Sequence, residues 1–167
     1  LEEILCGKGI PNSQSVSNEN TENERFESII SFPNFLLQVN EAISRSNEGD
    51  DSSLDDKNFL TNLRNNWADE SSAKHFLFMM LKARVIFDRY VLKREFARDY
   101  KETGKWSLQM LEKYRDARTD KPKYIGTFGG DEDKKNRQIR TLQSALRITY
   151  TSPKTMHWIS LVLSSYL

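Results

Sequence analysis

Between residues 11 and 25 the chain reads Pro-Asn-Ser-Gln-Ser-Val-Ser-Asn-Glu-Asn-Thr-Glu-Asn-Glu-Arg, with Val16 as its one aliphatic side chain. Such a stretch cannot bury enough apolar surface to offset the ordering of its backbone, so it reads as a loop or linker. Residues 26–32 (Phe-Glu-Ser-Ile-Ile-Ser-Phe) are apolar but short and suit an extended lead-in. The period then becomes helical. Ser31 is placed to cap a helix, Pro33 suits a first turn, and Phe35, Leu36, Val39 and Ile43 follow on one face, predicting a helix over 33–45. Residues 46–53 are turn chemistry. Ser53 with Asp56 resembles a capping box, and Phe59, Leu60, Leu63 and Trp67 predict a helix over about 54–66.

The longest periodic segment spans 71–98, where Phe76, Leu77, Met80, Leu81, Phe87, Tyr90 and Val91 recur at helical spacing without Gly or Pro. Residues 99–106 break at Gly104, and 106–114 alternate imperfectly, which fits a strand or a helix. Residues 116–130, with Pro122 and three glycines, read as a long loop. Asp131 to Asp133 place negative charge at the start of a helix running to about Tyr150, with Ile139, Leu142, Leu146 and Ile148 apolar. A break at Thr151-Ser152-Pro153 precedes a last helix carrying Trp158, Leu161, Val162 and Leu163. The expected fold is all-α, an irregular bundle of about five helices with room for a minor β pair. Residues 1–30 are a polar linker or the tail of a preceding domain, and 31–167 are the helical domain. No helical-solenoid repeat is visible.

Composition narrows this picture. Of 167 residues, 37% are hydrophobic and 29% charged, while 9 Phe, 6 Tyr and 3 Trp suffice to build a core. This excludes collagen, coiled-coil and disulfide scaffolds, and no run approaches the ~20 apolar residues of a membrane span. The formal net charge of +1 hides an asymmetry. Residues 1–70 carry net −9 and residues 71–167 net +10, which raises the question of a polyanionic partner or of self-complementary packing. The lone Cys6 cannot form an intramolecular disulfide, as suits a reducing cytosol; it reads as a free thiol rather than a nucleophile, having no nearby His. The N-terminus lacks the pattern of a signal peptide, and the chain is expected to be a cytoplasmic piece of something longer.

Candidate chemistry is sparse. His75 and His157 stand far apart with no cysteine partner, so no metal site is expected, and no catalytic triad is visible. Gly126-Thr127-Phe128-Gly129-Gly130 is a glycine-rich turn feeding a helix, since the acids that follow would repel a phosphate. Asp50, Asp51, Asp55 and Asp56 miss the calcium-loop spacing and read as a solvated capping loop. Asp88 is expected to pair with Arg84 or with a neighbouring helix. The basic half remains. One cluster (Lys82, Arg89, Lys93, Arg94) ends the long helix, and another (Lys134, Lys135, Arg137, Arg140) opens a later one. These eight are the candidate DNA contacts, against the plainer reading of two solvated basic faces. The nearby Tyr90, Phe96, Tyr100 and Trp106 could stack on bases or belong to the core.

Four segments, in order, are similar to the helical region of GmrSD-like proteins, a family of modification-dependent (type IV) restriction endonucleases and related phage-defence factors. They are Ser31-Phe-Pro-Asn-Phe-Leu-Leu-Gln-Val39; Leu54-Asp-Asp-Lys-Asn-Phe-Leu60; Lys82-Ala-Arg-Val-Ile-Phe-Asp-Arg-Tyr-Val91 with Lys93, Arg94 and Trp106-Ser-Leu108; and Leu142-Gln-Ser-Ala-Leu-Arg-Ile-Thr-Tyr150 with Ser152-Pro153 and Trp158. The resemblance implies a parent nuclease or NTPase with a ParB-like nucleotide-binding domain before this region and, in many members, an HNH-type domain after it. Neither motif occurs here, so no catalytic residue and no cofactor carry over. What it implies for this chain is a non-catalytic connector whose partners are neighbouring domains and duplex DNA. In that role Phe87, Leu142 and Trp158 are core, and Asp88 and Gln143 are buried polar contacts; the pairing of Arg84 with Asp88 rests on their four-residue spacing. Two rivals stand beside it: a protein-interaction scaffold in which acidic and basic parts meet, and an autonomous enzyme.

Overall fold

The computed structural model describes residues 25–46, 53–116, 119–130 and 132–167. Its elements are β1 (Phe26–Glu27), α1 (Phe32–Ser46), α2 (Phe59–Leu63), α3 (Glu70–Tyr90), β2 (Lys93–Glu95), β3 (Lys105–Ser107), β4 (Gln109–Asp116), β5 (Thr119–Gly126), α4 (Lys134–Thr149) and α5 (His157–Ser164). Single 3-10 turns bracket α2. Cys6, Asp50, Asp51 and Asp131 and the linker at 11–24 lie outside the described residues.

The core sits between α1, α3 and α5. Phe35, Val39, Ala42 and Ile43 of α1, Phe76, Ala83, Ile86 and Phe87 of α3, and Ile159 and Leu163 of α5 are buried together. Phe35 meets Phe87 edge-on, with ring centroids 5.4 Å apart. Each large side chain so buried contributes about 1.5–3 kcal/mol relative to exposure. Ser31 starts α1 as expected, its main-chain oxygen accepting from Phe35 N at 2.9 Å. Asp69 caps α3 through Ser72 N at 2.9 Å. Before α2 the expected Ser53–Asp56 box is replaced: the Asp55 carboxylate accepts from Lys57 N, and Ser53 Oγ accepts from Asp55 N.

The fold is mostly helical but not all-α, because two small antiparallel sheets are built, one from β1, β2 and β3 and the other from β4 and β5; the segment 106–114, which fits a strand or a helix, is strand. The predicted 71–98 helix stops at Tyr90. Val91 is extended, and both Val91 and Leu92 are buried. Gln143 of α4 takes over from the helix here. Its Oε1 accepts from Leu92 N and its Nε2 donates to Tyr90 O, each at 2.8 Å. These bonds satisfy main-chain groups that the helix abandons. The chain then pairs as β2, between β1 and β3, with Phe26 opposite Glu95 and Glu95 opposite Lys105. Glu95 is 2% exposed, yet Arg25 donates to it twice and Gln109 once. A buried carboxylate so supplied with donors is tolerated.

The chain also departs from the expected loop at 116–130. Residues Thr119–Gly126 are not loop but β5, paired with β4 from Gln109–Gly126 out to Asp116–Thr119. Most of β5 is exposed, so no apolar alternation betrays it. Pro122 is accommodated opposite Lys113 because both strands are edges. The turn before β3 needs Gly104, at φ +64°, where a Cβ would meet the side chains of Arg94 and Phe96 at under 3 Å.

Helix α4 packs through polar side chains. Its buried residues are Asn136 and Gln143, whereas Leu142 is 61% exposed. The core assignment of Leu142 is therefore wrong: the face that meets the sheet is one residue on. Asp88 is likewise exposed rather than buried, bonded through Oδ2 to Arg84 Nε at 2.8 Å. Phe87 is core, and Trp158 is half-buried against it.

Candidate nucleic-acid interface

One cation from each of two basic runs lying far apart in the chain comes to the end of α3. Arg89 sits over the ring of Tyr90, 6.0 Å from its centroid, and Lys135 over Phe128 at 5.5 Å. The two rings are themselves neighbours at 5.9 Å. Thr127 Oγ1 donates to Arg89 O, and Gln143 holds Tyr90 O, so the turn after β5 and helix α4 are both fastened to the last turn of α3. Tyr90 also stacks on Tyr166 at 4.7 Å. Lys134, Lys135 and Arg137 stand in the first turn of α4, after the cap in which the Asp133 carboxylate accepts from Lys135 N. Cations at a helix N-terminus oppose the macrodipole by about 0.3–1 kcal/mol each, but they sum with it to attract an anion.

On the other side of the same turn lies a cavity of about 300 Å³ between α3, β1 and the root of the β4–β5 hairpin. Arg84, Phe87, Asp88 and Lys93 line it, with Phe26 and Tyr124. Lys93 Nζ donates to the main-chain oxygen of Asp88 at 2.7 Å and lies 5.2 Å from the Phe26 centroid. Phe26 and Tyr124 touch at 4.6 Å, with the Arg25 guanidinium 5.1 Å from both rings. Burial holds the Lys93 ammonium below the usual lysine value, with the nearby Asp88 charge opposing that shift.

The other predicted contacts are placed differently. Lys82 donates to the main-chain oxygen of Leu167 at 2.8 Å, and Arg94 to Thr103 O at 3.2 Å beneath its own turn, above Phe96. Both are engaged away from the Tyr90–Phe128 rings. Arg140 lies further along α4, half-buried and already engaged. Sequence reasoning missed Phe26, Tyr124 and Phe128. No period in the sequence signals them, because β5 carries no apolar alternation and β1 is only two residues long.

Elsewhere, His157 Nδ1 and Arg45 both bond the buried Glu41 carboxylate, and Lys154 reaches Asp55 at 2.7 Å and Asp56 at 3.6 Å. His75 is exposed. Among the described residues no group of three or more His, Cys, Asp or Glu is placed to hold a metal ion, and no helix is long and apolar enough to cross a membrane. Comparison of the chain with protein-family models, curated proteins and solved structures gives no match.

Proposed function

We propose that this chain is a non-catalytic helical module of a GmrSD-like DNA-targeting defence protein, which joins catalytic modules and contacts duplex DNA with the surface around Tyr90 and Phe128. The observation that carries this reading is the meeting of Arg89 and Lys135, from separate basic runs, over two adjoining rings. Rings beneath the cations hold them above the surface, where they can meet phosphates and release counterions. The four similar segments noted in the sequence supply the family part of the proposal.

The test is a salt series of duplex binding by the chain and by its Arg89→Glu, Lys135→Glu variant. Affinity should fall with salt, and the double reversal should lower it about tenfold or more and shrink the salt slope by about 2. Undetectable binding at low salt, or affinity unchanged in the variant, sinks the DNA reading.

A second reading, an interaction scaffold, is favoured by one observation. Leu77, Phe78, Leu81 and Val85 run along α3 at 41–65% exposure. An apolar stripe of this kind is the sort of surface that a protein partner would cover.

A further inference from the structure

The cavity beside Lys93 has a composition that the duplex reading does not use. Its volume of about 300 Å³ lies at the small end of the ~300–1,000 Å³ typical of ligand sites. One wall is the Phe26–Tyr124 ring pair, and Phe87 lies against it from the core side. Two cations and one carboxylate stand in it. Arg84 spends Nε on the Asp88 carboxylate, and Lys93 spends one proton on the Asp88 main-chain oxygen. Among the described residues neither cation makes a further hydrogen bond. Asp88 thus fixes both cations in place and cancels one of their two charges, leaving one positive charge beside an aromatic wall. The complement of that arrangement is a flat ring carrying one phosphate.

We propose that the cavity binds a single nucleotide unit, its base against Phe26 and Tyr124 and its phosphate on Lys93 and Arg84. Stacking on aromatic side chains accepts any base, and a partly desolvated ammonium pairs more strongly with a phosphate than an exposed one does. The depressed ammonium of Lys93 agrees with this, because an arriving anion relieves the cost of its burial. The site is independent of the Tyr90–Phe128 surface, so nucleotide binding without duplex binding would leave this inference standing and remove the other.

The experiment is calorimetric titration of the intact chain with AMP at low salt, with adenosine and inorganic phosphate as half-ligands. One saturating site is expected, tighter for AMP than for either half. Lys93→Gln and Tyr124→Leu should each weaken it about tenfold or more, with Lys93→Arg retaining most of the affinity. Tyr124 lies outside the core, so its variant gives a reading even where Lys93→Gln loses its cooperative melting transition. Competition between AMP and a short single-stranded oligothymidylate identifies the source. Displacement assigns the site to a nucleotide within a strand, and its absence to a free nucleotide. No saturable binding of AMP, equal binding of AMP and phosphate, or affinity unchanged by Tyr124→Leu overturns the proposal.

Discussion

Gln143 closes the end of α3 with one amide, giving to Leu92 N and Tyr90 O the partners that a continuing helix would have supplied. Truncation leaves both main-chain groups without that partner, each costing about 1–3 kcal/mol when buried. Gln143→Ala should therefore lower stability by roughly 2–4 kcal/mol, moving the urea midpoint with little change in slope. A shift under about 0.5 kcal/mol would show that water replaces the amide at no cost. Asp55 and Asp69 act through charge. A hydrogen bond and ion pair from Lys154 hold the Asp55 carboxyl below its ordinary 3.8, and hydrogen bonds from Ser72 do the same for Asp69. Both bind protons more weakly folded than unfolded. Their contribution is full above that value and is lost as pH falls through the lower folded values. Melting temperature should drop on acidification below about pH 4, and Asp69→Ala should flatten that decline. An acid limb identical in the variant would remove Asp69 from the account.

At the scale of elements, the helices α1 and α3 follow from apolar spacing, whereas the hairpin does not. The β4–β5 ladder is continuous, but from Leu111 to Asp120 its described side chains are exposed, and only its root packs, through Leu108, Met110, Tyr124 and Ile125. Ion pairs such as Lys113–Asp120, three-quarters exposed at the lysine, add little. Amide exchange should therefore open the outer hairpin well before α1 and α3, at a small fraction of the global stability. Protection of Tyr114 equal to that of Val39 would contradict this. The helix-to-strand change at Tyr90 is likewise a contact effect. Nothing in Tyr-Val-Leu-Lys-Arg-Glu forbids a helix; pairing with β1 and β3 and capture by Gln143 decide against one.

The whole molecule turns its charge asymmetry into contacts. Lys154 of the basic part reaches Asp55 and Asp56 of the acidic part, and His157 bonds Glu41. Among the apolar side chains left exposed, Leu77, Phe78, Leu81 and Val85 form a stripe along α3. Leu81→Lys with Val85→Lys changes surface positions only, so unfolding free energy should stay within about 1 kcal/mol of the parent. Association through that stripe should vanish in the variant, and in the parent it should strengthen rather than weaken with salt, unlike charge-driven association. Sedimentation at low and high salt separates the two. Equal behaviour of parent and variant would leave the scaffold reading without its surface.

The helical body, its cap at Ser31, the Arg84–Asp88 pair and the identity of the basic clusters are local properties, set by residue spacing within one or two turns, and the sequence alone determined them. Resemblance, rather than spacing, singled out Gln143 as a buried contact. The register of the two sheets, the stop at Tyr90, the exposure of Leu142 and the cavity wall of Phe26 and Tyr124 depend on partners distant in the chain. Only tertiary structure decided them, because a short exposed strand has no period of its own and a polar helix face is chosen by what it meets.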